Sequence, residues 1–454
     1  MSQEIENASD FILQNYGILT LSETNSFVMY NHGHYSYVID SHINNIITSY
    51  YKTSKLSYSR QKRNQVVDFI RCDTQISSKL FDESDNRICL QNGHYIFDGY
   101  NKIIPNPNNE DGSYSTSNGD KLVMEKKFFR KHRSFDKQPY KTMYQLPIFY
   151  DPNAECLEID NFLTEVFGFE RVPLIYELIA YMIMPTVKYQ KAFMLLGEGG
   201  NGKSTFLTML RTFIGTCNTQ ELSLHELEKD FMMKELMGKL SNIVADLPAR
   251  PLKNTGAFKQ IVGDPFLSSS VKFKQGRVSF KNICKLIFSC NTLPKTNDTT
   301  RAFWRRWVLL RCTNIFTTNP NPDNINEKLK DPDVIDKITS KQELSGLLNK
   351  CIIAWYRIQV RKGFPEEWND IEYVKDWWTL ESSPLDLFVR EYCMIDANSE
   401  INKDILYNEF CEFRRKYNLN VLDKGWFTRY LKQISGIGDT KTKYKGIKLR
   451  TNNT

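Results

Sequence analysis

The chain has 454 residues, with 60 Lys+Arg against 53 Asp+Glu and a formal net charge of +7. Hydrophobic residues make up 41% and charged residues 25%, ordinary globular usage that excludes wholesale disorder. At roughly 150 residues per domain, this length suggests about three domains.

The most apolar stretch, Leu174 to Met184, contains Glu177 and is too short to cross a bilayer. The N-terminus, MSQEIENASD, is acidic and polar and carries no secretory signal. These features lead us to expect a soluble, cytoplasmic protein without a membrane partner. The ten cysteines form no C-x-x-C pair, so reduced and mostly buried thiols are expected rather than a zinc ribbon. His32, His34 and His42 lie close in sequence but lack a convincing cluster of partner ligands.

Residues 1–100 mix apolar and polar types around a basic run, Lys52 to Arg63, with Tyr50, Tyr51 and Tyr58 beside it. That run reads as a solvated helix face or as a nucleic-acid surface, since cations between aromatics grip phosphates and stack bases. Arg87 to Asp98 predicts a hairpin turning at Asn92-Gly93, two residues that tolerate positive φ. Asn101 to Asp120 is rich in Asn, Ser, Gly and Pro and predicts a loop or linker. A second basic run, Lys126 to Arg133, follows, then a strand at Leu146 to Tyr150 and a helical region from Asp160.

From Lys191 the texture changes. Short apolar runs at Ala192 to Leu196, Leu240 to Ala245, Lys285 to Cys290 and Val308 to Leu310 alternate with helical stretches such as Thr205 to Ile214. Strands alternating with helices predict a parallel sheet in an α/β domain. A helix is expected around Leu344 to Val360. From about Pro384, three helical stretches and a basic, strand-like tail predict a winged-helix module.

Gly197-Glu198-Gly199-Gly200-Asn201-Gly202-Lys203-Ser204-Thr205 matches G-x-x-x-x-G-K-[ST] in full, after an apolar strand and before a helix. Glycines let backbone amides wrap a phosphate, and the helix N-terminus adds positive potential. Lys203 is suited to the β- and γ-phosphates of ATP, and the Ser204 hydroxyl to Mg²⁺. Leu240 to Asp246 is an apolar strand ending in an acid. Asp246 is therefore the second candidate metal residue, with Ala245 where many such motors carry another acid. Asn291 ends the run LIFSCN and fits a polar sensor beside the γ-phosphate. Arg305 and Arg306, in RAFWRRW, are candidates for an arginine that stabilises the transferring phosphoryl group.

The order GEGGNGKST, NIVADLP, VGDPFLSSSVKFKQGRVSFKN, LIFSCNTLP, FWRRW resembles the superfamily-3 helicases of phage and plasmid primase-helicases, related to the vaccinia virus primase-helicase. The resemblance runs from about Ile88 to the C-terminus. It implies an AAA+ fold, a ring (usually a hexamer) around DNA, and a source in a phage, plasmid or integrated mobile element. It implies Walker A at Gly202 to Thr205, Walker B at Asp246, sensor 1 at Asn291 and an arginine finger at Arg305 or Arg306. Arg306 is preferred because it directly precedes a strand. It also implies a pore hairpin at Val271 to Phe280, presenting Lys272, Lys274 and Arg277 to a single strand. The alternation of VKFKQGRVSF around Gln275-Gly276 is consistent with such a hairpin. No primase motif stands in residues 1–90, so a separate primase or host replication proteins are expected partners.

The domain boundaries expected are 1–120, an N-terminal and mostly helical region with its linker, and 121–185, a collar. They continue with 186–320, the AAA+ core, 321–380, a helical connector, and 381–454, the winged helix. Lys424 to Arg450 holds eight basic residues against one acid, Asp439, which equals the net charge of the whole chain. Lys441, Lys443 and Lys445 are thus expected to bind duplex DNA. The function expected is an ATP-dependent replicative helicase. The alternative is an origin-binding initiator whose ATPase controls assembly or origin melting.

Overall fold

The computed structural model describes residues 3–82, 86–97, 102–105, 120–123, 128–130, 140–270, 277–417 and 421–450. The chain divides into two compact units. The first comprises residues 1–247, 254–289 and 306–368, and the second 248–253, 290–305 and 369–454.

The first unit begins with helices Gln3–Asn15, Asp40–Thr53 and Arg60–Asp73 and a four-stranded sheet. Strands Ile18–Leu21, Ser26–Asn31 and His34–Val38 run antiparallel in succession, and Gln75–Ile76 pairs parallel with the first. The N-terminal region is therefore mixed rather than mostly helical. Short runs of β-branched and aromatic residues, as in SFVMYN and HYSYV, favour a pleated, half-buried surface. His32 (φ 41°) and Gly33 (φ 107°) close the tight turn between the last two antiparallel strands, where both positions need positive φ. Ile5, Ala8 and Ile12 share one helix face and pack with Ile43, Ile47, Tyr51, Val66 and Ile70.

A hairpin joins Arg87–Leu90 to Gly93–Ile96, with Phe128–Arg130 as a third strand. Its turn is Gln91-Asn92, one residue earlier than expected, because Gly93 already pairs with Leu90. The expected linker is partly ordered as a ladder, with Lys102–Pro105 pairing antiparallel with Asp120–Val123. The rest of that segment, and most of the basic run Lys126 to Arg133, lie outside the described residues. Leu146 to Tyr150 is not a strand; it contributes one isolated bridge, Leu90 to Leu146.

Helix Val172–Ile183 explains the apolar stretch around Glu177. It packs along helix Lys341–Arg361, where Arg361 Nη2 lies 2.7 Å and Arg357 Nε 3.4 Å from the Glu177 carboxylate. Burial nonetheless pushes the Glu177 pKa up, with the two guanidiniums opposing it. No helix among the described residues is long and apolar enough to cross a membrane.

The central sheet has the strand order Thr219–Gln220, Ser241–Val244, Lys285–Cys290, Ala192–Leu196, Trp307–Arg311. The first three are joined by parallel pairings, and so are the last two. Strands Ala192–Leu196, Ser241–Val244 and Lys285–Cys290 are buried at every residue, which is why they read as continuous apolar runs. Four of these five strands were read from the sequence to within a residue or two, and the two-residue strand Thr219–Gln220 was not. The sequence reading also missed the parallel pair Ile315–Thr317 and Glu327–Leu329, which lies in a Pro- and Asn-rich stretch.

The second unit has helices Ile371–Ser382, Pro384–Tyr392, Lys403–Lys416 and Lys424–Leu431. Its sheet places Lys443–Leu449 between Cys393–Asn402 and Gly438–Asp439. Strand Cys393–Asn402 went unread in the sequence, because CMIDANSEIN is polar and mostly exposed. Leu406, Phe410, Phe427, Leu431, Tyr444 and Ile447 form part of this unit's core. Trp378 packs against Phe303 and Trp304, ring centroids 5.8 Å apart in both cases, and donates from Nε1 to the Pro294 carbonyl. Segment 290–305 thus belongs to this unit, although the sequence-based boundaries assign it to the ATPase core.

Candidate nucleotide and nucleic-acid sites

Strand Ala192–Leu196 feeds directly into the Gly-rich loop, and helix Lys203–Ile214 leaves it. Gly200 (φ 77°) and Gly202 (φ 79°) hold left-handed conformations that turn the chain into the helix. The loop is walled closely. A Cβ at Gly197 would stand 2.6 Å from the Cys312 carbonyl oxygen, and one at Gly202 2.7 Å from Val166 Cγ2. Two further bonds fix it, Asn201 Nδ2 to the Asn314 carbonyl at 2.8 Å and Phe316 N–H to the Gly200 carbonyl at 2.8 Å. Burial pushes the Cys312 thiol up to about 12, so this wall carries no reactive thiolate.

Lys203 is 7% exposed. Its ammonium donates to the carbonyls of Gly197 (2.5 Å) and Glu198 (2.8 Å) and to Asn201 Oδ1 (3.4 Å). A buried cation held by neutral carbonyls inside a backbone cradle fits an anionic ligand. Ser204 and Asp246 are both exposed, Ser204 in the first turn of the helix and Asp246 just beyond strand Ser241–Val244. These hard oxygen donors suit Mg²⁺. Leu247 N–H donates to the Ser289 carbonyl at 2.8 Å, and Ser289 Oγ donates to the Ala245 carbonyl, so the Asp246 loop is tied down on both sides. Asn291 follows strand Lys285–Cys290 and is exposed.

The two candidate arginines differ. Arg305 is exposed, whereas Arg306 is 8% exposed and packs over Gly263, where any Cβ would collide with its guanidinium. The Arg306 carbonyl accepts from Ala192 N–H at 2.7 Å. Sequence position favoured Arg306 because a strand follows it. That same strand carries its side chain into the interior, and Arg305 is the one left on the surface.

Where the candidate pore hairpin is expected, Phe266–Ser270 pairs antiparallel with Arg277–Lys281, so the described pairing begins upstream of Val271. Lys272, Lys274 and the Gln275-Gly276 turn lie outside the described residues. Arg277 is described and is engaged, with Nη2 3.0 Å and Nη1 3.1 Å from the two Asp230 carboxylate oxygens. Asp230 also accepts from Ser270 Oγ at 2.6 Å. The Ser270 hydrogen bond, followed by the Arg277 guanidinium, lowers the Asp230 pKa. Sequence reading had no signal for Asp230, which lies 47 positions from Arg277.

Of the expected duplex contacts, Lys443 and Lys445 face Glu400 at 3.0 and 3.7 Å, and Lys448 faces Asp396 at 2.7 Å. The cationic tail is therefore partly neutralised by strand Cys393–Asn402. Lys441 instead lines an open groove of about 650 Å³ with Lys403, Lys424, Arg429 and Lys432. Asp439 lies within 3.0 Å of both Lys403 and Lys432.

Residues 195–306 match a family described as DUF5906, a family of unknown function. The match takes in the Gly-rich loop, Asp246, Asn291 and both candidate arginines, and spans about a quarter of the chain. No curated protein matches the chain. Among solved structures, it is similar to the A form apo structure of the NrS-1 C terminal region-CTR, at 11% identity and a TM-score of 0.45, over 97% of this chain and 99% of that one. It is also similar to the apo structure of the NrS-1 C terminal region (305–718), at 12% identity and a TM-score of 0.44, over 99% of this chain and 100% of that one.

Proposed function

We propose that this chain is an ATP- and Mg²⁺-dependent DNA helicase of the superfamily-3, AAA+ type, working as a ring around one strand. The observation that carries the reading is the buried Lys203 inside a glycine cradle at the end of a central strand. The strand order supports it. The Gly-rich-loop strand lies between the strand that leads to Asn291 and the strand that follows Arg306, and the strand that leads to Asp246 comes next, as an AAA+ sheet requires. The helix–strand–helix–helix–ribbon order of the second unit supports a winged helix.

In this reading Lys203 exchanges its three loop acceptors for phosphate oxygens. Bound Mg²⁺ would offset phosphate charge, held by Ser204 and Asp246. Asp246 and Asn291 orient the attacking water. With Ala245 before it, Asp246 is the acid that this strand end offers for the task. Arg305, on the surface, reaches toward a neighbouring subunit's nucleotide. The hairpin carries Arg277 to the single strand.

The basic groove of the second unit favours a second reading, an origin-binding initiator that uses ATP for assembly. Strand displacement on forked DNA separates the two. ATP-driven displacement supports the helicase, and DNA-stimulated ATPase without displacement supports the initiator. Absence of ATPase activity in the wild-type protein would remove both.

A further inference from the structure

One surface of the N-terminal region has no part in the reading above. Between Asp40 and Asp68 the chain has no Asp or Glu, yet it carries Lys52, Lys55, Arg60, Lys62 and Arg63. The fold gathers these residues where helix Asp40–Thr53 ends and helix Arg60–Asp73 begins. Ile43, Ile47, Tyr51, Val66 and Ile70 take the buried sides of the two helices, so the cations fall on the outer side. Lys62 is tied to Glu4 at 2.7 Å. Lys52, Lys55 and Arg60 are exposed and make no ion pair among the described residues.

Two apolar side chains stand among these cations, Leu56 at 39% and Tyr58 at 42% exposure. The Tyr58 ring is held in place. Its hydroxyl accepts from Thr48 Oγ1 at 3.3 Å and from Arg63 Nη1 at 3.5 Å, and its edge meets Tyr51 with centroids 6.0 Å apart. The Thr48 bond, with smaller contributions from Arg63 and Lys52, lowers the hydroxyl pKa. An ordinary solvated face mixes charges of both signs. Here uncompensated cations flank a fixed, partly open aromatic ring.

We propose that this face binds single-stranded nucleic acid, with phosphates on Lys52, Lys55 and Arg60 and a base against Tyr58. A single strand is favoured over a duplex because its bases are free to stack on an aromatic ring, while duplex bases are already stacked on one another. The surface adds to the motor reading and does not rest on it.

The test uses the full chain, a fluorescent oligothymidine and no nucleotide, with anisotropy followed across salt concentrations. The triple variant Lys52→Ala, Lys55→Ala, Arg60→Ala should bind at least about tenfold more weakly at low salt. Its salt slope should be smaller by about 2, from three lost contacts at about 0.7 each. Tyr58→Ala should weaken binding about fivefold or more, and Tyr58→Phe should not. The charge-keeping variant Lys52→Arg, Lys55→Arg, Arg60→Lys should bind as the wild type does, and all variants should keep the wild-type melting temperature. Unchanged affinity and slope in the triple variant overturn the proposal. Equal loss on duplex DNA with a silent Tyr58→Ala overturns the single-strand assignment. Because no nucleotide is present, failure here leaves the ATPase reading standing, and an ATPase failure leaves this one standing.

Discussion

The Lys203 ammonium lies 2.5 Å from the carbonyl oxygen of Gly197, the first residue of its own loop. The cation is thus held by its own loop, by the Gly197 and Glu198 carbonyls and Asn201 Oδ1. Lys203→Ala should abolish ATP hydrolysis. Saturating Mg-ATP should raise the melting temperature of the wild type, corresponding to about 2.7 kcal/mol at a hundredfold excess over Kd, and should leave the variant unmoved. Equal thermal shifts in the two proteins would remove Lys203 from the nucleotide site.

Gly202 should not tolerate a side chain. Its φ of 79° disfavours any L-residue, and a Cβ would stand 2.7 Å from Val166 Cγ2. Gly202→Ala should cost at least about 1–2 kcal/mol by denaturant titration, and ATP binding should fall with it. The double variant with Val166→Ala should recover the steric part of the loss and not the backbone part.

Because Arg305 is exposed and Arg306 is buried, substitutions at the two positions should have opposite effects. Arg305→Ala should keep its melting temperature and ATP binding while hydrolysis falls roughly 10³-fold or more. Arg306→Ala should lower the melting temperature. If Arg305 acts across subunits, mixing the Arg305→Ala and Lys203→Ala proteins should restore part of the ATPase activity. A mixture no more active than its components would place Arg305 outside the catalytic machinery.

The contact with Asp230 holds Arg277, the candidate hairpin arginine, in place. Both side chains are substantially exposed, so the pair is worth about 0–1 kcal/mol to the fold. Asp230→Asn should therefore leave stability nearly unchanged and tighten single-strand binding. Arg277→Ala should keep basal ATPase and slow unwinding. Weaker strand binding by Asp230→Asn would mean that the carboxylate positions the arginine and does not compete for it.

Acid should act on the sheet of the second unit through Asp396. A hydrogen bond from Lys448 Nζ, with further bonds from Ser399 and Asn398, lowers its carboxyl from the usual 3.8 to about 2. A depressed folded-state pKa stabilises the fold above the unfolded value and loses that contribution as pH falls. The window therefore runs from about 4 down to about 2. Carbon-detected NMR titration of Asp396 should show the low midpoint, and Lys448→Met should move it up.

The central sheet was legible because buried parallel strands are nearly pure apolar runs, and the Gly-rich loop because its geometry admits few sequences. The N-terminal sheet was not. Its strands are short and half-exposed, and their pairing depends on turns such as His32-Gly33 that no periodicity announces. Strand Cys393–Asn402 was hidden for a similar reason, since its stabilising partner is Lys443–Leu449, some forty residues away. The candidate site shows the same divide. Residues inside a contiguous motif can be proposed from sequence order, while Asp230, Val166 and Asn314 cannot, because only folding brings them to the residues they restrain. Net charge misled in one respect. A window of sequence counts Lys443 and Lys445 as free cations, and the fold sets Glu400 opposite them.

The chain passes between its two units five times. The second unit is therefore not a bead at the end of a string. Cutting before residue 369 would leave behind Phe303, Trp304 and Pro294, the residues that Trp378 packs on. A lineage, or an engineer, wishing to transplant this unit onto another protein would have to move three separate stretches of chain together. The charge of its basic groove is thus more easily altered by substitution within the groove than by exchange of the whole piece.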